Sequence, residues 1–230
     1  MSKSALPPHT VSNTAAPSGS RYPDYNVLDK RDTPSWDDAT RQVIDARLAV
    51  PATPQFFEIV EWAALQALCA CVIPQRADAP YVAIAALVDD KLSQNRGDGY
   101  RDARMPALRE AWRRGLAALD SESRATFEAA FADLSDTQRV GLLQRMQDGK
   151  LQHASWQGMP SAVFFAERVL HDICSAYYSH PYAWNLLGFG GPANPRGYVR
   201  MYFDRRDPWD ASEATPGREA QAAKENQRAR

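Results

Sequence analysis

The chain has 230 residues, 44% hydrophobic and 24% charged, with a formal net charge of −1. That balance excludes an acidic disordered chain, and the even mixing of Lys and Arg with Asp and Glu leaves no basic face to neutralise phosphates, so nucleic acid is not an expected partner. The length suffices for a sizeable core, and a single domain is expected.

Residues 1–20, MSKSALPPHTVSNTAAPSGS, carry almost no large apolar side chain to offset the entropy of ordering and read as a disordered tail. Residues 21–34, RYPDYNVLDKRDTP, add Tyr22, Tyr25, Val27 and Leu28 and read as an extended arm that docks on a core or a partner. A first helix starts at Ser35, a capping hydroxyl followed by Asp37 and Asp38, and carries Val43, Ile44 and Leu48. Thr53-Pro54 opens a second helix, with Phe56, Val60, Ala63, Ala64, Ala67, Leu68 and Cys71 on its apolar face, ending before Pro74. A third follows Pro80. The loop QNRGDGYRDAR, Gln94 to Arg104, lacks the Lys of a phosphate cradle and the alternating acids of a calcium loop, so it reads as a solvated turn.

A helix from about Pro106 to Ala118 is followed by another capped by Asp120 or Ser121, with Phe127, Ala130, Phe131 and Leu134 as its stripe. Ser135 with Gln138 makes a capping box for the next, and Gly149 stops it. After Pro160, Val163, Phe164, Ala166, Val169, Leu170, Ile173, Cys174 and Tyr177 cover so much of a helix that it is expected to be central and buried on several sides, with Pro181 ending it. Residues 213–230 read as a solvated tail. No apolar-polar alternation suggests a strand. The expected fold is all-α, a single-domain irregular helical bundle over 21–212 with an extended N-terminal arm and a Gly/Pro/aromatic C-terminal loop.

That loop, Tyr177 to Phe203, reads YYSHPYAWNLLGFGGPANPRGYVRMYF. Its prolines and glycines forbid a helix or central strand through it, while its aromatics are too many to leave in water, so it is a packed irregular segment. The YSHP of Tyr178 to Pro181, the AWN of Ala183 to Asn185, the GFGGP of Gly188 to Pro192 and the PRGY of Pro195 to Tyr198 resemble the C-terminal motif of the gluconate 2-dehydrogenase subunit 3 family. Weaker similarity runs upstream through Phe56-Phe57, Gly97 to Ala103 and Phe164-Phe165, over about residues 21–212. The resemblance implies a small, flavin-free chain that assembles as a heterodimer with a large FAD-dependent dehydrogenase of the glucose-methanol-choline type, which holds the FAD and the catalytic histidine. A cytochrome c or other electron acceptor would be reached through that partner.

The residues themselves offer little chemistry. His171, Asp172 and Cys174 lie within one turn, and His171 and Cys174 share a face, but helical spacing brings no obvious third metal ligand. His180 can tie backbone groups of the GFGGP turn or move a proton. GFGGP is no dinucleotide fingerprint, because it follows a helix and Pro192 interrupts it. Cys69, Cys71 and Cys174 read as structural thiols in a reduced compartment. No catalytic, cofactor or metal residue is therefore expected in this chain. The expected partner interface is Tyr178, His180, Pro181, Trp184, Phe189, Pro192, Pro195, Arg196 and Tyr198, aromatics and an arginine stiffened by proline and glycine. The same aromatics can instead close the chain's own core. A stand-alone helical enzyme or metal-binding protein using His171, Cys174 and His180 is the alternative. Without a signal-peptide run or an apolar run long enough to span a bilayer, the expectation is a cytoplasmic chain with no membrane insertion, or a periplasmic one if the partner carries the export signal.

Overall fold

A computed structural model describes residues 20–76, 80–198 and 207–229. The expected N-terminal tail, Ser20 apart, and the end of the aromatic segment at Tyr202 and Phe203 lie outside the described residues. Within them the chain is all-α: α1 Asp38–Leu48, α2 Ile59–Val72, α3 Ile84–Ser93, α4 Leu108–Phe127, α5 Asp136–Gln147, α6 Ser161–Phe164, α7 His171–Tyr178, α8 Pro181–Leu187 and α9 Glu219–Asn226. An isolated parallel bridge joins Trp36 and Asn194. Among the described residues no helix is long and apolar enough to cross a membrane. The chain divides into two compact units, one built from the chain up to Ala49 and from His180 onward, the other from Val50–Ala77 and Tyr81–Ser179.

In the Val50–Ser179 unit, α2 packs against α3, α4 and α5, and α7 packs against α3. Its core is a run of edge-to-face rings, Phe57 to Trp112 (6.3 Å), Trp112 to Phe164 (5.6 Å) and Phe164 to Trp156 (5.8 Å), an arrangement that aligns ring edges with ring faces. Gly115 lets α4 meet that ring stack, since a Cβ there would lie 2.1 Å from Phe164 Cζ. The capping box of Ser135 and Gln138 opens α5 as expected. A π-helical turn, Phe165–Leu170, joins α6 to α7 without a break.

Three expectations in this unit need correction. The second helix starts at Ile59 and not at Thr53-Pro54, because the buried Asp89 accepts the backbone N–H of Gln55, Phe56 and Phe57 (2.6, 3.1 and 3.0 Å) and holds them in a turn. Asp120 and Ser121 cap nothing, and α4 runs on through them. Asp120 accepts from Arg124 (2.7 Å) and from the Phe131 N–H (2.9 Å), and Ser121 Oγ donates to the Ala117 carbonyl (2.9 Å), so both are satisfied within a helix. The α6–α7 run is buried on one side, through Phe164, Val169 and Ile173, while Ala166, Leu170 and His171 face solvent.

The other unit corrects three more. Asp37, not Ser35, caps α1 by accepting the Thr40 N–H (2.8 Å), because the bridge to Asn194 keeps Trp36 extended. α7 ends at Tyr178, ahead of Pro181 as expected, but the segment expected to exclude a helix holds α8, which Pro181 opens; at the first helical position its missing N–H is no loss and its φ is already set. Residues 213–229 are not a free tail: they dock through a few side chains while most of the stretch stays exposed. Asn226 Nδ2 on α9 donates to the Pro23 and Ser212 carbonyls (2.8 and 3.0 Å), Asn226 Oδ1 accepts from the Ser212 N–H (2.5 Å), and Ala222 and Ala229 are buried.

Candidate functional site

The aromatic segment is assembled against the N-terminal arm. His180 caps α8, its Nδ1 accepting the Tyr182 N–H (3.2 Å), and Gly188 ends the helix in the left-handed region at φ +68°. Along α8, Pro181, Tyr182, Ala183, Trp184 and Asn185 are buried. Trp184, only 6% exposed, belongs to a core cluster with Tyr25, Val27, Trp36, Ile44, Ala211 and Ala229. The side chain of Asn185 accepts the Val27 N–H (2.8 Å) and donates to Asn26 Oδ1 (3.4 Å). Farther along, Asn194 accepts the Asp37 N–H through its carbonyl (2.7 Å) and donates from Nδ2 to Asp37 Oδ2 (2.6 Å).

These contacts account for the glycines of GFGGP. A Cβ at Gly188 would lie 2.4 Å from the Tyr22 ring, one at Gly190 2.9 Å from Asp210 Oδ1, and one at Gly191 2.8 Å from Val27 Cγ2. Each glycine thus receives a side chain from a distant stretch of chain. Lys30 completes the junction. It is fully buried, its Nζ donates to the Gly190 carbonyl (2.9 Å), and burial, aided by the charge of Arg196, lowers its pKa to about 8 against the pull of Asp210 and Asp207. Burial, with the charge of Arg47, lowers the pKa of His180 to about 4, which keeps its Nδ1 a free acceptor for the cap at neutral pH.

The nine residues expected at an interface therefore separate. Pro181 and Trp184 lie in the core, and His180 is a half-buried cap. Phe189 is 43% exposed with its ring edge-to-face on Trp184 (5.7 Å), and Tyr198 is 56% exposed while its hydroxyl donates to the Gly191 carbonyl (2.7 Å). Pro195 is exposed, Pro192 is half-buried, and the half-buried Arg196 stacks its guanidinium on Trp209 at 4.1 Å from the ring centroid. Leu187, which was not singled out from the sequence, is as exposed as Tyr198. Tyr178, on α7 in the other unit, stands half exposed against Tyr177 (5.1 Å). Asn185 and Lys30 were missed as well. Asn185 sat in the AWN motif as a signal, whereas nothing in the arm marked Lys30.

The His171 constellation takes a form that its helical spacing did not show. The ligand atoms that converge within 4.8 Å come from Asp98, His171 and Asp172, and Cys174 is not part of the group. His171 Nδ1 lies 3.0 Å from Asp172 Oδ1 and 3.9 Å from Asp98 Oδ2. Lys91 Nζ donates to both Asp98 Oδ1 (2.5 Å) and Asp172 Oδ1 (2.9 Å), Arg168 to Asp98 Oδ2 (3.0 Å), and Trp112 Nε1 to Asp172 Oδ2 (2.7 Å). The ammonium takes the place a divalent ion would need, and the carboxylate oxygens are committed, so the donor set fits a closed ion network better than a metal. Burial pushes Asp98 upward, but the Lys91 hydrogen bond and the charges of Lys91, His171 and Arg168 outweigh it and hold the carboxyl below its usual range. Burial also pushes the thiols of Cys69 and Cys71 up, away from reactivity.

A family profile described as Gluconate 2-dehydrogenase subunit 3 matches residues 60–191, more than half of the chain. The match runs from α2 through the ion network and α8 to Gly191, and stops short of the arm. No curated protein and no solved structure matches the chain.

Proposed function

The chain belongs to the gluconate 2-dehydrogenase subunit 3 family, and from that membership we propose that it is a non-catalytic accessory subunit that binds and stabilises the large FAD-dependent subunit of a sugar or sugar-acid dehydrogenase. The flavin and the oxidation of the CH–OH group belong to that partner. The observation that carries this proposal is the outward side of the aromatic segment. Its backbone is clamped from within by Asn185, Lys30 and the arm, while Leu187, Phe189 and Tyr198 keep about half of their surface in solvent, Phe189 on the Trp184 ring and Tyr198 tied to Gly191. Large apolar side chains on a pre-ordered backbone lose little further entropy on docking and suit an interface. Binding a folded partner stabilises both chains by mass action, so a subunit without chemistry of its own can still be required for activity.

Co-expression with the large subunit tests this. The two chains should copurify, over an interface of at least ~1,600 Å², and the isolated large subunit should lose activity on warming sooner than the complex does. Two proteins that elute separately at micromolar concentration, with the large one equally durable alone, would remove the proposal.

A further inference from the structure

Arg21, Pro23 and Asp24 are held from outside by the carboxyl-terminal stretch. The Arg21 guanidinium meets Glu213 through Nε and Nη2 (2.8 and 3.1 Å), and the Arg21 carbonyl accepts the Ala214 N–H (2.8 Å). The Pro23 carbonyl accepts from Asn226 Nδ2 (2.8 Å), and Asp24 Oδ2 from Gln227 Nε2 (3.2 Å). Tyr22 lies between these grips with its ring against Gly188, where a Cβ would come within 2.4 Å of it. Gly188 in turn separates the exposed Leu187 and Phe189. The tip of the arm is thus a cover set between two exposed apolar side chains, and residues 212–229 are the strap that fixes it. The family profile matches 60–191, so the covered glycine lies inside the matched region and both the arm tip and the strap lie outside it.

The hold changes character at Tyr25. From there onward the arm is anchored by burial: Tyr25 and Val27 are fully buried, and the Val27 N–H is bonded to Asn185. Before it the anchors are polar and wet. Arg21 and Glu213 keep 65% and 48% of their side-chain surface in solvent, where an ion pair adds little. The strap carries no apolar side chain larger than alanine, and the burial of Ala222 and Ala229 offsets little of the entropy lost in ordering it. With eight residues, α9 is too short to persist once undocked. Asp24 adds a left-handed backbone, φ +58°, at the joint between the two kinds of anchor, a cost that opening relieves.

We propose that residues 212–229 form a releasable strap that undocks together with residues 21–24, lifting Tyr22 from Gly188 while the arm from Tyr25 onward stays in place. Opening melts α9 and joins Leu187 and Phe189 into one apolar surface across the uncovered glycine. The chain then has two states of the same segment, covered and uncovered, that differ by polar contacts and not by core packing.

Hydrogen exchange on the free, full-length chain tests this. The Ser212, Ala214 and Tyr25 N–H groups, bonded to Asn226 Oδ1, the Arg21 carbonyl and the Tyr22 carbonyl, should exchange through one opening with a shared urea dependence, at least ~100-fold faster than the Val27 N–H. Asn226→Ala, which removes the bonds to Pro23 and Ser212, should speed all three by a further ~10-fold or more and leave Val27 and the melting temperature unchanged. Three amides no faster than Val27, or a variant that loosens Val27 equally or does not fold, would make the strap part of the core and overturn the proposal. Fast exchange at Ser212 and Ala214 with Tyr25 as slow as Val27 would reduce it to a fraying end that covers nothing. None of these readings involves the large subunit, so the strap and the accessory function fail separately.

Discussion

Trp184 and Phe189 are ring neighbours at 5.7 Å, yet substitution should affect them in opposite ways. Trp184 is nearly enclosed by Tyr25, Val27, Trp36 and Ile44, so Trp184→Ala removes a fully packed indole and leaves a cavity the arm cannot close while Asn185 and Asn194 hold it. Large aromatic truncations in cores cost about 3–5 kcal/mol, and this one should fall there. Phe189 has almost half its surface in water, so its own burial is worth roughly half of the ~2–3 kcal/mol of a fully enclosed ring. The edge-to-face contact with Trp184 adds ~0.5–1.5 kcal/mol. Phe189→Ala should therefore destabilise the free chain by only about 1–2 kcal/mol while weakening association with the large subunit by more than ~2 kcal/mol. Urea unfolding followed by near- and far-ultraviolet circular dichroism measures the first quantity and calorimetric titration of the large subunit the second. The reasoning fails if Trp184→Ala leaves the unfolding midpoint in place and removes binding, or if Phe189→Ala unfolds the chain without touching the affinity of the part that stays folded.

His180 should make stability pH-dependent. Its folded pKa, about 4, lies below the ordinary 6.5, so the unfolded chain binds the extra proton first; stability is complete above pH 6.5 and is lost as the pH falls from 6.5 to about 4, by on the order of 3 kcal/mol. The difference between wild type and His180→Gln over that window isolates the effect from the carboxylates, and a parallel pH dependence in the two proteins would contradict it. Asp172→Ala should cost about 1–3 kcal/mol by leaving the Trp112 N–H without its acceptor and Lys91 with Asp98 alone, and the cost should be smaller in a Lys91→Met background; chemical denaturation of the single and double variants checks this, and additive losses would show that the two side chains are not energetically coupled.

The all-α class was readable along the chain because helix signals are local. Ser135 with Gln138, the stop at Gly149 and the end of α2 before Pro74 each depend on residues within one turn. Where a local signal admits two outcomes, distant contacts chose. Asp120 and Ser121 can cap or sit inside a helix, and the Phe131 N–H and the Ala117 carbonyl kept them inside. Thr53-Pro54 could have opened α2, had Asp89 on α3 not taken the following N–H groups. The carboxyl-terminal stretch carries no large apolar anchor, and its docking rests on the amide of Asn226 reaching Pro23.

The same division holds for the function. The motif from Tyr178 to Tyr198 was enough to bring the family into view, and its density of aromatics was enough to require a packed segment, though not to show that Pro181–Leu187 within it is helical. Which of its aromatics pack inward and which remain for a partner depends on Tyr22, Val27, Lys30 and Trp36, more than 140 positions away, which occupy one side of the segment and leave Phe189 and Tyr198 on the other. Asp98 likewise gave no local sign of its partners. Lys91, Arg168 and His171 become its neighbours only when α3 packs on α7, because a charge network is a property of the side chains that the fold brings together and not of their order in the sequence.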